Sequence, residues 1–192
     1  MQYEVISPPF TLKFDRMSKA ELREYFSWFM DARPNRIDIL AREVRRHIGF
    51  STWQPDASPE SLGPLGKWFA QNVETRRKSL EEIAEFSSHG ASLIAAPDTE
   101  LTNHTFSIAI DSGMYLSEVL LERNPDLRWG QDLIRKKSID YGQPVLVGFG
   151  RAVFNPTRMM ITAAYGIARR TEDGSVLERI YEIWSTKMIQ QQ

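Results

Sequence analysis

A chain of 192 residues with 24 Lys plus Arg against 25 Asp plus Glu carries a formal net charge of -1, and 42 % of its residues are hydrophobic. That length supports one sizeable core without a metal or crosslink, and the balanced charge removes the bulk attraction that nucleic acid or an anionic membrane would exert. No cysteine is present, which excludes disulfides, thiolate metal sites and cysteine nucleophiles.

The amino-terminal stretch MQYEVISPPFTLKF lacks the basic lead, apolar core and small-residue cleavage site of a secretory leader. No run approaches the roughly 18 apolar residues of a membrane span, so a cytoplasmic protein without a membrane partner is expected. In FTLKF, Phe10, Leu12 and Phe14 alternate with Thr11 and Lys13, the period of a half-buried strand, and Pro8 and Pro9 bar an earlier start. Such a strand is too short to stand alone and is expected to pair with the later strand around Val145. Ser18 and Glu21 form a capping box, and Leu22, Tyr25, Phe26, Phe29 and Met30 follow at helical spacing. Arg33-Pro34 ends this helix. Asn35 caps a second one through Ile37, Leu40, Ala41, Val44 and Ile48, and the two predict an antiparallel hairpin.

Gly49, Pro55 and Pro59 mark residues 49–60 as the longest loop, with Trp53 packed under it. A third helix begins near Ser61 with Pro64 in its first turn and Leu62, Leu65, Trp68, Phe69 and Val73 as its buried stripe. Ser79 with Glu82 opens a short helix through Phe86, and a short strand is expected over residues 92–95. From Thr99 to Arg123 runs the longest periodic segment, apolar around most of its circumference and so expected at the centre of the fold. Asn124-Pro125 stops it, LRW reads as a short strand and PVLVGF as a better one. Asn155 caps PTRMMITAAYGIARR with Pro156 at the first helical position, and Ser175 with Glu178 opens the last helix, through Trp184. The expected fold class is α+β, mostly helical: a single domain over residues 1–192 with a small antiparallel sheet packed on a long central helix.

The stretch SIDYGQPVLVGFG poses a choice between a ligand-cradling loop and a turn leading into a strand. Gly148-Phe149-Gly150 begins like a dinucleotide fingerprint, but position 153 is Val and no G-K-[ST] occurs anywhere. Asp140-Tyr141-Gly142 supplies turn chemistry, Pro144 stands where a strand tolerates a missing N–H, and the two later glycines permit a bulge. Turn and strand is the reading.

His104, Ser107 and Asp111 are the residue types of a hydrolase triad on one helix face, but parallel side chains do not place a base between nucleophile and acid. A metal shared by His104, Asp111 and Glu118 fails on distance, because seven residues span roughly 10 Å of helix axis. The stripe, which continues to Glu122, reads as the polar edge of the helix. No catalytic residue, metal site or cofactor is expected. Arg45-Arg46, Arg76-Arg77-Lys78 and Arg169-Arg170 read as cations at helix C-termini. Arg135-Lys136-Lys137 instead lies in a connection, between Trp129 and the turn at Asp140-Tyr141. Loops on a rigid scaffold concentrate binding residues, and Arg and Trp contribute strongly when a partner desolvates them. Trp129, Arg135, Lys136, Lys137, Asp140 and Tyr141 are therefore the candidate partner-binding residues.

From SGMYLSEVLLERNPDLRW through DYGQPVLVGF to FNP, residues 112–156, the chain resembles small bacterial domains of unknown function found among the immunity proteins that accompany polymorphic or contact-dependent toxins. The shared pattern is a helix with a small residue and an aromatic, then Trp, then a D-Y-G-x-P turn into a strand. The resemblance implies a non-enzymatic protein-interaction domain with a protein partner, a toxin domain, and it carries no catalytic residue. The alternative is a small enzyme or ligand-binding domain with a pocket between the sheet and the central helix. There Asp140, Tyr141 and Arg158 would supply the polar groups.

Overall fold

The computed structural model describes residues 3–79, 81–82 and 99–189. Its first helix, α1 (Lys19–Arg46), starts where the capping box places it: the Glu21 N–H donates to Ser18 Oγ at 3.2 Å, and the Ser18 N–H to Glu21 Oε2 at 2.7 Å. It does not stop at Pro34. The expected hairpin is instead one helix of 28 residues, about 42 Å long at the usual rise. A proline inside a helix forfeits one backbone bond and crowds the preceding turn. Here that turn is held from outside. Arg33 pairs with Glu118 at 2.6 Å and Arg36 with Asp111 at 2.6 Å, both on the helix packed alongside. Tertiary contacts on either side of Pro34 carry α1 through it.

The long loop turns at Gly49, in the left-handed region at φ +91°, and buries Trp53, whose indole N–H donates to Ser61 O at 2.9 Å. It leads into α2 (Leu62–Asn72), with Pro64 in the first turn and Leu62, Leu65, Trp68 and Phe69 buried. Next, β1 (Thr75–Arg77) pairs antiparallel with β2 (Thr99–Leu101). These short strands correct two expectations. Arg76 and Arg77 lie in a strand rather than at a helix end, and residues 99–101 precede the central helix rather than opening it. Arg76 bonds Glu82 at 2.6 Å and Glu100 at 2.9 Å across this ribbon. The capping box of Ser79 and Glu82 is formed, at 2.7 and 3.2 Å. The remainder of that expected helix and the strand expected at 92–95 lie outside the described residues.

The central helix, α3 (Asn103–Arg123), is capped by Thr102 and buried around most of its circumference. Gly113 lets α4 (Pro156–Ala168) cross it closely: a Cβ there would stand 2.8 Å from Pro156 O. Between them, β3 (Arg128–Gln131), β4 (Pro144–Phe149) and β5 (Ala152–Phe154) form an antiparallel sheet in that order. Arg128 stands opposite Val147, and Leu146 opposite Phe154; the register then slips before Phe149, where Gly148 takes φ +119°. That is the bulge the glycines permit. β5 is an addition to the expected order, reached by a tight turn through Gly150 and Arg151. The last helix, α5 (Val176–Ile189), sets Trp184 against Phe149 and Phe154 at ring distances of 4.8 and 5.0 Å. One hydrophobic core draws on α1, α2, α3, α4 and α5 and on β2, β4 and β5. The fold is mixed α+β and mostly helical, with its small sheets antiparallel.

The strand expected over residues 10–14 does not form, nor does its pairing near Val145. The Lys13 N–H turns back to Thr11 O at 2.7 Å, and the Arg16 and Met17 N–H groups both reach Lys13 O. Phe10 and Phe14 pack edge-on against Tyr25, at 5.7 and 5.3 Å. Their alternation is satisfied by the flank of α1 instead of by a sheet, and two prolines just upstream leave few donors for a ladder. Further upstream, side chains do the anchoring. Tyr3 Oη donates to Asp111, Arg36 Nη2 to Glu4 O at 2.8 Å, and the Ile6 N–H to Ser107 Oγ at 3.0 Å.

Candidate functional site: a cleft beneath the amino-terminal segment

The central helix is apolar on more than one face, and the second of these faces lies at the margin of the main core. Phe106 and Ile110, one turn apart on α3, are only partly buried. They look into a cleft of about 700 Å³. Tyr25, Trp28 and Phe29 of α1 form another wall, and Ile161 of α4 a third. The amino-terminal segment closes the remaining side with Val5, Ile6, Leu12 and Phe14. Phe29, Tyr25 and Met114, fully or nearly buried, make the second hydrophobic cluster that supports it. Burial pushes the Tyr25 phenol up to about 12.

One end of the cleft is polar, and local sequence explains how. Asn155 caps α4, its Oδ1 accepting from the Arg158 N–H at 2.9 Å, which places Arg158 in the first turn beside the opening of β4. The buried Asp140 comes from the D-Y-G turn. It accepts from Arg158 Nε and Nη2, both at 3.0 Å, and from Asn155 Nδ2 at 2.9 Å. Asn155 Nδ2 also donates to Gln143 Oε1 at 2.9 Å. Arg158, Asn155 and Gln143 line the cleft, with Asp140 directly behind.

The candidate partner-binding residues separate into two groups. Asp140, Tyr141 and Lys136 stand near the cleft: Tyr141 and Lys136 line a smaller hollow of about 340 Å³ that shares Leu12, Phe14, Ile139 and Gln143 with it. Trp129, Arg135 and Lys137 line neither. Trp129 packs on Phe29 at 5.6 Å under the Arg33 guanidinium, 4.9 Å from its centroid, behind the cleft. Arg135 bonds Asp132 at 2.7 Å in the exposed connection, and Lys137 is exposed.

The stripe on α3 is corrected too. Asp111 and Ser107 are fully buried rather than on a solvated edge. Arg36 holds Asp111 with two bonds, at 2.9 and 2.6 Å, and Tyr3 adds a third. Burial pushes the Asp111 carboxyl above its ordinary range against the pull of Arg36. Burial and the neighbouring Asp111 push the Tyr3 phenol far up as well. Ser107 Oγ donates to Asn103 O at 2.8 Å, and His104 meets the Tyr3 ring edge-on at 5.4 Å. The triad residue types thus anchor the amino-terminal segment, and no base reaches a nucleophile among them. Among the described residues no group of three or more His, Asp or Glu could hold a metal ion, and no helix is long and apolar enough to cross a membrane.

The cleft wall at residues 5–14 and the α3 pair Phe106 and Ile110 are the parts that sequence reading missed. The signal for the latter was the second apolar face of the helix; for the former there was only a two-residue period, which reads as a strand. Compared with known protein families, curated proteins and solved structures, the chain has no match.

Proposed function

We propose that the protein is a non-enzymatic binding domain whose working site is the cleft between the amino-terminal segment, α1, α3 and α4. The observation that carries this reading is the cleft itself, about 700 Å³ with aromatic and aliphatic walls and a preset polar end. Small-molecule sites have this make-up and fall at about 300–1,000 Å³. The test is a fluorescence titration, with Trp28 as reporter, using octanoate, octanamide and octylammonium as probes. At least one probe is expected to bind saturably, and Ile161→Trp, which fills the cleft, to abolish it. No saturable uptake of any probe, or uptake unchanged by the filling variant, overturns the reading.

A protein partner is the second reading, favoured by the lip of the cleft. Val5 and Leu12 are each 42 % exposed and Ile139 is 68 % exposed, apolar surface that a small ligand would leave wet. The resemblance over residues 112–156 points to a toxin domain as that partner, met in the cytoplasm. Ile139→Asp separates the readings: it weakens capture of a protein partner and leaves uptake of the small probes unchanged.

A further inference from the structure

We infer that the ligand of the cleft carries a hydrogen-bond-acceptor head group, a carboxylate or a carbonyl, and that Arg158 receives it; this rests on the cleft being the binding site. Most polar groups at this end of the cleft already have protein partners. Asn155 Nδ2 gives both its hydrogens, to Asp140 and Gln143, and Gln143 Nε2 gives one of its two to Ile139 O at 2.8 Å. Ser107 Oγ is spent on Asn103 O and Thr162 Oγ1 on Arg158 O, both at 2.8 Å. Arg158 differs from these. A guanidinium offers five N–H donors along two usable edges. The Nε/Nη2 edge is given to Asp140, and Nη1 has no protein partner among the described residues. The second edge, Nη1 with the remaining Nη2 hydrogen, is therefore unspent on a side chain 43 % exposed.

Asp140 sets the direction of that edge. It is buried, held by Asn155 and by its own turn, and grips Arg158 without itself lining the cleft. A guanidinium so fixed receives a carboxylate or carbonyl without first losing side-chain freedom. The ion pair is neutral as a whole, so a neutral carbonyl suits it as well as an anion does. A cationic head finds no carboxylate among the lining residues and meets the unspent edge of a guanidinium. The first turn of α4 beside it leans the same way. Arg158 is thus the specificity-determining residue and Asp140 its positioning residue, with the apolar body of the ligand against Phe106, Ile110 and Ile161.

The experiment uses the three eight-carbon probes, identical in chain and different in head, by calorimetric titration of the full chain. Octanoate and octanamide are expected to bind roughly tenfold more tightly than octylammonium, the worth of one hydrogen bond to a charged group. Arg158→Leu is made together with Asp140→Asn, so that no buried carboxylate is stranded, and the gap is expected to close to about twofold. Arg158→Lys, which keeps the ion pair, is expected to retain a reduced preference for octanoate. Equal affinities in the parent, or a gap that survives in the double variant, overturn the inference while leaving the cleft as the site. If none of the probes binds, the cleft reading fails and takes this inference with it.

Discussion

Asp111 and Tyr25 each have their chemistry set by burial. Asp111 is fully buried with Arg36, Tyr3 and no solvent. Removing one member of such a pair leaves an uncompensated charge, so Asp111→Ala is expected to cost about 3–5 kcal/mol. Replacing both, as Asp111→Leu with Arg36→Met, is expected to recover most of that loss, since apolar packing often matches a buried ion pair. Urea midpoints measure both, and a single variant as stable as the parent would show that the pair holds nothing. Tyr25 is neutral when folded, its phenol raised by burial from 10.0 to about 12. Folding therefore favours the protonated form. Its contribution is complete below pH 10.0, and is lost as pH rises from there towards about 12. An NMR titration of isotope-labelled tyrosine is expected to show this ring ionising well above pH 10.0, towards about 12; an ordinary value would mean the ring is solvated in the folded protein.

Among the elements, α1 gives the sharpest test, because its proline stays inside by force of outside contacts. Pro34→Ala restores the missing N–H and removes the crowding, so the variant is expected to gain about 1 kcal/mol or more in thermal unfolding. A loss would mean that the proline ring itself packs into the interface with α3. The same helix shows what a sequence discloses. Its start was legible because Ser18 and Glu21 are three residues apart and need nothing else. The bounds of β4 and the Asn155 cap were legible for the same reason, as local chemistry. Its length was not, since the residues that carry α1 past Pro34 find partners 75 and 85 positions away. Tyr3, 108 positions from Asp111, was invisible on the same ground, and with it the wall of the cleft. Of the site, Asp140 and Arg158 could be named from their turn and cap, but not the apolar surface they face. β5 was missed because a three-residue strand has too few alternations to stand out.

At the scale of the whole molecule, the main core and the smaller cluster under the cleft both pack against Ile37 and Trp129. They are expected to melt together: fluorescence and circular dichroism should trace one urea transition. Two separated transitions, or a protease-resistant half, would divide the chain into independent units. The tether at residues 3–6 carries this unity into binding. Tyr3 and Glu4 touch the ion pair that joins α1 to α3, while Val5 and Ile6 face the cleft. Occupancy and the grip of two helices thus draw on one free energy, and thermodynamic reciprocity ties them: whatever a ligand gains by pressing the segment down, the helix pair gains in resistance to opening. Amide exchange around Arg36 and Asp111 should slow as ligand is added, although neither residue lines the cleft.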